Sequence, residues 1–193
     1  MKTAKDQIIY LPDKRLRQRS TRVGLIDKSI QEIIDQMIES TMDWEDSRQH
    51  ELGVALAAVQ IGLTLRIVII RNDFNNKDDR KFRVFINPEI VKSEGELIAD
   101  FEGCLSIKNV YGKVPRYPKV KVKATDRDGK PIRITAKGFL ARVFQHEIDH
   151  TKGTVFIDHI KDNTEAFYRL QDDGHLLPLD YEKEIENNTA LWK

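Results

Sequence analysis

The chain has 193 residues, and its 32 Lys+Arg against 31 Asp+Glu leave a net charge of +1, which excludes bulk charge as a driver of binding to nucleic acid or an anionic membrane. A chain of this length fits one domain that buries about 70% of the surface exposed on unfolding. A single cysteine excludes an internal disulfide, and no apolar run reaches the length of a signal core or a membrane span. The expected compartment is reducing and cytoplasmic. Residues 14–22 are basic, but Asp6 and Asp13 and a poor apolar face argue against a targeting presequence.

Residues 1–25 read as an extended polar arm that wraps the domain, with Ile8, Ile9, Tyr10 and Leu11 as its apolar cluster. From residue 27 to 44, Ile30, Ile33, Ile34, Met37 and Ile38 share one helical face, and Ser29 with Glu32 has the spacing of a capping box. Met37 and Met42 read as core filler. Residues 53–62 follow as a small-residue stretch, GVALAAVQIG, in which Gln60 carries the one polar side chain. A buried amide needs partners, so Gln60 either satisfies a loop or donates to a bound carbonyl oxygen.

Residues 66–70 form a β-branched strand, and residues 82–86 a second, antiparallel to it and closed by Asn87-Pro88. Residues 96–101 are a further strand that leads into Glu102-Gly103-Cys104-Leu105-Ser106. Strands at 120–125 and 132–135 flank Asp126-Arg127-Asp128-Gly129 as a hairpin. The alternation of Lys119, Lys121 and Lys123 marks a solvated strand face. Past residue 162 the tail is polar, with Leu176, Leu177, Leu179, Leu191 and Trp192 as docking points.

Between these lies a helix over residues 136–151, stopped by Gly153, with Phe139, Leu140, Val143, Phe144 and Ile148 at three-to-four spacing. It carries His146-Glu147-Ile148-Asp149-His150. Residues four apart share a helix face, so both imidazoles can bind one ion while Glu147 reaches a water on it as general base. A catalytic site needs a third ligand. The extended peptidase form of the motif would place histidine at Phe156, which leaves Asp158 or Glu165 as downstream candidates and Cys104 upstream. An isolated cysteine is ordinarily a small buried hydrophobe. With Gly103 beside it, however, Cys104 completes an S,N,N set that suits zinc or ferrous iron and leaves one position open.

The segments 53–60, 102–106 and 145–150, in that order and at these separations, resemble the three motifs of the peptide deformylases. The Asn87-Pro88-Glu89 strand end, Val114-Pro115-Arg116 and the hairpin before the helix are also similar, and the likeness spans residues 5–165. The resemblance implies an α+β fold with antiparallel strands around a central helix that carries the two histidines. It also implies a single catalytic domain over 1–165, with 166–193 packed on or extending from it. The implied activity is cytoplasmic removal of the formyl group from the initiator methionine of nascent chains, with formate released as metal-bound hydroxide attacks the formyl carbon. Cys104, His146 and His150 would be the ligands of one divalent ion, Fe2+ natively, with Zn2+, Ni2+ or Co2+ able to replace it. Glu147 would be the acid/base, and Gln60 with the Leu105 N–H would stabilise the oxyanion.

Val54, Ala55, Phe139 and Val143 would line the substrate groove, and Glu102 with Arg116 would brace the cysteine loop. N-formylmethionyl nascent peptides and ribosome association are the implied partners, without membrane binding or nucleic-acid sequence recognition. The chain departs from the family pattern at Ala55, where glycine is usual, at Ile107-Lys108, which lacks a common proline, and at Thr151, where leucine is common. Two rival readings are a zinc peptidase with a downstream carboxylate ligand and a non-catalytic binding module on the same fold.

Overall fold

The computed structural model describes residues 7–48 and 51–192. In chain order these form α1 (Lys28–Asp46), β1 (Ala55–Ala57), β2 (Ile67–Arg71), β3 (Phe82–Glu94), β4 (Ile98–Cys104), β5 (Ile107–Arg116), β6 (Lys119–Thr125), β7 (Pro131–Lys137), α2 (Gly138–His150), β8 (Phe167–Leu170), β9 (Leu176–Pro178) and a last helical turn, α3 (Thr189–Trp192), with short 3-10 and π turns besides. One sheet has the order β1-β2-β3-β6-β7 and the other β4-β5-β8-β9, and every pairing within them is antiparallel. The chain is therefore α+β, as its elements imply. No helix among the described residues is long and apolar enough to cross a membrane.

The first sheet is packed between the two long helices. Ile67 and Ile69 of β2 join Ile30, Ile34 and Met37 of α1 in one core, while Val68 and Ile70 join Val143, Phe144 and Ile148 of α2 in another. Burial on both faces is why β2 reads as an unbroken apolar run and not as an alternation. A third core lies under the second sheet, where Ile107, Val110 and Val114 meet Phe156, Ile157, Phe167, Leu179, Ile185 and Leu191. Residues beyond 166 thus contribute two strands and buried side chains, whereas Leu177 is exposed.

Three local expectations are corrected. Ser29 and Glu32 do not cap α1. Asp27 does, accepting from Ile30 N, and Ser29 Oγ donates to Asp27. Nor does Asn87-Pro88 end its strand: β3 runs on to Glu94 with register shifts after Ile86 and Ile90. Asn87 takes a positive φ of 52°, and its side-chain amide holds both the N–H and the C=O of Val23, so the irregularity is pinned by the N-terminal segment. The strand expected over 96–101 begins at Ile98 and ends at Cys104.

Among the described residues, the N-terminal segment ties the first two motif segments to the residue that follows the third through its backbone. Ile9 N donates to Gln60 O (2.8 Å), Leu11 N to Ser106 O (3.1 Å) and Ser20 N to Thr151 O (2.9 Å).

Candidate metal centre

Each candidate ligand is placed by a different local device. Cys104 ends β4 and pairs with Ile107 across a two-residue turn, Leu105-Ser106, which puts the thiol at the tip of the β4–β5 hairpin. Gly103 is required there, because a Cβ would lie 2.5 Å from the ring of Tyr111. His146 and His150 project from the buried face of α2, with ring centroids 5.0 Å apart. The ligand atoms of Cys104, His146 and His150 all lie within 4.8 Å of one another, and Cys104 Sγ is 3.3 Å from His150 Nε2. This is the one such cluster of His, Cys and carboxylate groups among the described residues. The downstream carboxylates are spent or remote: Asp158 pairs with Arg17 and accepts from Val155 N, and Glu165 is exposed.

The cluster has the chemistry of a cation site. A soft thiolate with two imidazoles is a donor set for zinc or ferrous iron. Two buried atoms beside it, Glu147 Oε2 and His150 Nδ1, have no hydrogen-bond partner among the described residues. Burial pushes Glu147 up to about 7, the nearby His146 charge lowering it and Glu102 raising it. Burial also opposes charge on both imidazoles. Hydrogen bonds to Cys104 and Glu102 nevertheless raise His146 well above its ordinary value, while burial and the neighbouring His146 hold His150 well below.

Glu102 organises the surroundings. Its Oε2 stands 2.9 Å from His146 Nδ1, its Oε1 accepts from Arg116 Nε and Arg142 Nη1 at 2.9 Å each, and all these side chains are nearly excluded from solvent. Burial alone would raise its pKa, but the His146 hydrogen bond and the Arg116 charge hold it at about 2. Arg116 continues to Asp149, which also meets His159 at 2.7 Å. Glu102 and Arg116 are therefore brought together as their motifs imply. Arg142 and Asp149 were not singled out from sequence. The signal was there: a charged residue on an otherwise apolar helix face needs a buried partner.

Gln60 sits in the 3-10 turn after β1. Its Oε1 accepts from Ala57 N (2.8 Å), which aims Nε2 at Ser106 Oγ (3.2 Å) and Cys104 Sγ (3.5 Å). The amide thus satisfies its loop and also faces the cluster. Next to it opens a cavity of about 280 Å3 whose lining includes Val54, Ala55, Gln60, Leu105, Phe139, Val143 and Glu147. Trp44, Glu51, Phe101, Tyr111 and Arg142 line it as well, and none of these was anticipated from sequence. Tyr111 donates to Glu51 at 2.6 Å across one wall, and Phe139 stands edge-on to Phe74, centroids 5.1 Å apart.

Known proteins agree with this architecture. A family model described as polypeptide deformylase matches residues 5–166. A peptide deformylase from Chromobacterium violaceum is 42% identical over 153 residues, covering 79% of this chain and 85% of the relative. One from Thermomicrobium roseum is 40% identical over 164 residues, covering 83% and 89%. The crystal structure of a peptide deformylase from Legionella pneumophila, 45% identical, superposes with a TM-score of 0.69 over 79% of this chain and 83% of that one. That from Synechococcus elongatus, 37% identical, gives 0.70 over 79% and 76%. With the family model spanning most of its length and relatives 40% and 42% identical, the chain belongs to the polypeptide deformylase family.

Proposed function

We propose that this protein hydrolyses the N-formyl group of peptides that begin with formyl-methionine, releasing formate and a free amino terminus. The observation that carries this reading is the convergence of Cys104, His146 and His150 beside the unpartnered Glu147 carboxylate at the edge of an apolar cavity. Cys104, His146 and His150 hold one divalent ion, for which ferrous iron is our assignment, with zinc, nickel and cobalt as substitutes for this donor set. The ion, when bound, supplies Lewis acidity and lowers the pKa of a water molecule toward neutrality.

The chain's own residues do the rest. Glu102 Oε2 accepts a hydrogen bond from His146 Nδ1–H, which fixes the tautomer and would leave Nε2 free as the ligand atom. Glu147 accepts a proton from the attacking water and returns it to the leaving amine. Gln60 Nε2, held in place through its own Oε1, donates with the Leu105 N–H to the oxygen that gains charge as the formyl carbon becomes tetrahedral. Each such donor is worth about 3 kcal/mol in a site that excludes water. Val54, Ala55, Phe139 and Val143 receive the methionine side chain. Because the substrate is a nascent chain, the working position is at the ribosome.

The test is formate release from a short formyl-methionyl peptide, with protein prepared anaerobically and loaded in turn with ferrous iron, nickel or zinc. Turnover that vanishes in Glu147→Ala supports the reading. Absence of turnover with every ion, despite one ion bound per chain, overturns it.

A further inference from the structure

Away from the metal cluster, α1 covers one face of the first sheet over β1 and β2, and on that face Lys121, Lys123, Arg133, Thr135 and Lys137 of β6 and β7 are exposed among the described residues. Val120 and Val122 point into the core under α2, so Lys119, Lys121 and Lys123 point outward on the other side. Register then sets like charges opposite one another: Lys119 faces Lys137, Lys123 faces Arg133 and Lys121 faces Lys92. Directly opposed like charges destabilise a sheet. Three such pairs on neighbouring strands are a cost that folding does not require.

Two carboxylates offset these six cations only in part. Glu94 is shared by Lys92, Lys119 and Lys121, and Glu89 takes Lys123 at 3.1 Å. Arg133 and Lys137 are exposed and have no acidic partner among the described residues. At the end of the face, Arg22 from the N-terminal segment joins Lys123 and Arg133 around a groove of about 510 Å3. The excess positive charge is thus local, on a chain whose net charge is only +1.

We propose that this face of β3, β6 and β7 docks the phosphate backbone of duplex RNA. Cations alternating along each strand form rows with a repeat of about 6.8 Å, which suits successive phosphates and not a single compact anion. Residues 87–94, β6 and β7 contain no aromatic side chain on which unstacked bases could lie, so the contacts are to backbone and carry no sequence preference. An anionic membrane would call for aromatic or leucine side chains to insert between the lysines, and the exposed large hydrophobic residue of these strands beside Lys121 and Arg133 is Val91, whose side chain is short. The inference refines the nascent-chain reading by naming a surface that meets RNA. RNA binding is measured without substrate, so either reading can fail alone.

The experiment compares the purified protein with K121E/K123E/R133E and with a control of equal charge change elsewhere, K28E/K161E/K183E. Binding of a labelled blunt RNA duplex is titrated across salt, and formate release from a short formyl peptide is measured for all three. The expected result is a loss of RNA affinity of about tenfold or more at low salt in the first variant, with the log–log salt slope shallower by about 2 to 3. The control should bind nearly as the parent does, and peptide turnover should be equal in all three. K121Q/K123Q/R133Q serves if the glutamate form fails to fold. No RNA binding by the parent, equal losses in both triple variants, or binding only to phosphatidylserine vesicles overturns the proposal.

Discussion

Glu102 Oε2 stands 2.9 Å from His146 Nδ1 while the same carboxylate is held by Arg116 and Arg142, so one buried side chain joins the β4–β5 hairpin to the helix that carries both imidazoles. The hairpin also bears Cys104, and Glu102 therefore sets the distance between the thiol and the histidines.

Replacing Glu102 by Ala leaves Arg142 without an acidic partner, and Arg116 with Asp149 alone. Loss of one partner from a buried ion pair costs about 3–5 kcal/mol, and loss of a metal ligand's supporting carboxylate weakens metal affinity by about 10–100-fold. Metal content per chain and the thermal unfolding midpoint should fall together. Unchanged metal affinity would show that the carboxylate does not support the site.

Cys104→Ser and Glu147→Ala should separate ligand from base. The first is expected to lose bound ferrous iron or zinc after dialysis against a chelator. The second should retain the ion but turn over about 10²–10⁴-fold more slowly. A Cys104→Ser protein with full metal content would favour the peptidase reading with a different third ligand.

Ala55 is buried in β1 opposite Ile70, and it lines the cavity next to Val54. In Ala55→Gly the cavity widens by one methyl, while glycine inside a strand costs about 0.5–1 kcal/mol. Relative kcat/KM should shift by about tenfold toward first residues larger than methionine, with a slightly lower unfolding midpoint. An unchanged preference across formyl peptides would place Ala55 outside the specificity wall.

Tyr111→Phe removes the donor to Glu51 Oε2 at the cavity wall while Arg48 keeps Oε1, at a cost of about 1–3 kcal/mol. Burial first, and then the Glu51 hydrogen bond, raises the Tyr111 pKa. An unfolded tyrosine ionises near pH 10, so above that pH the folded chain holds more protons and stability falls as pH rises. Denaturant titrations between about pH 9 and 11 should show this slope in the parent and a shallower one in Tyr111→Phe.

Arg71, wholly buried, donates to Glu45 and to the carbonyls of Gly53, Lys77 and Asp79, while Glu45 Oε2 accepts from Gly53 N. The pair anchors the segment that enters β1. Arg71→Ala should destabilise the fold by about 3–5 kcal/mol, and Arg71→Met with Glu45→Leu by less. Equal losses in the single and double variants would mean that packing, not the stranded charge, sets the cost.

Much of this site could be read locally. Helical spacing alone puts His146 and His150 on one face with Glu147 between them, and period-two alternation alone predicts the β6–β7 hairpin and the outward lysines. The order of three short segments was enough to indicate the family, because each segment carries its own chemistry. Tertiary structure decided what depends on partners distant in sequence. It brought Cys104 to His150 across 46 residues, Arg142 to Glu102 across 40 and Tyr111 to Glu51 across 60. It also carried β3 past Asn87-Pro88, because the Asn87 amide finds Val23. A buried charge or amide must be paired, which sequence makes plain. Which group pairs with it is set by how the helices, both sheets and the N-terminal segment pack together, a constraint that no local window of residues contains.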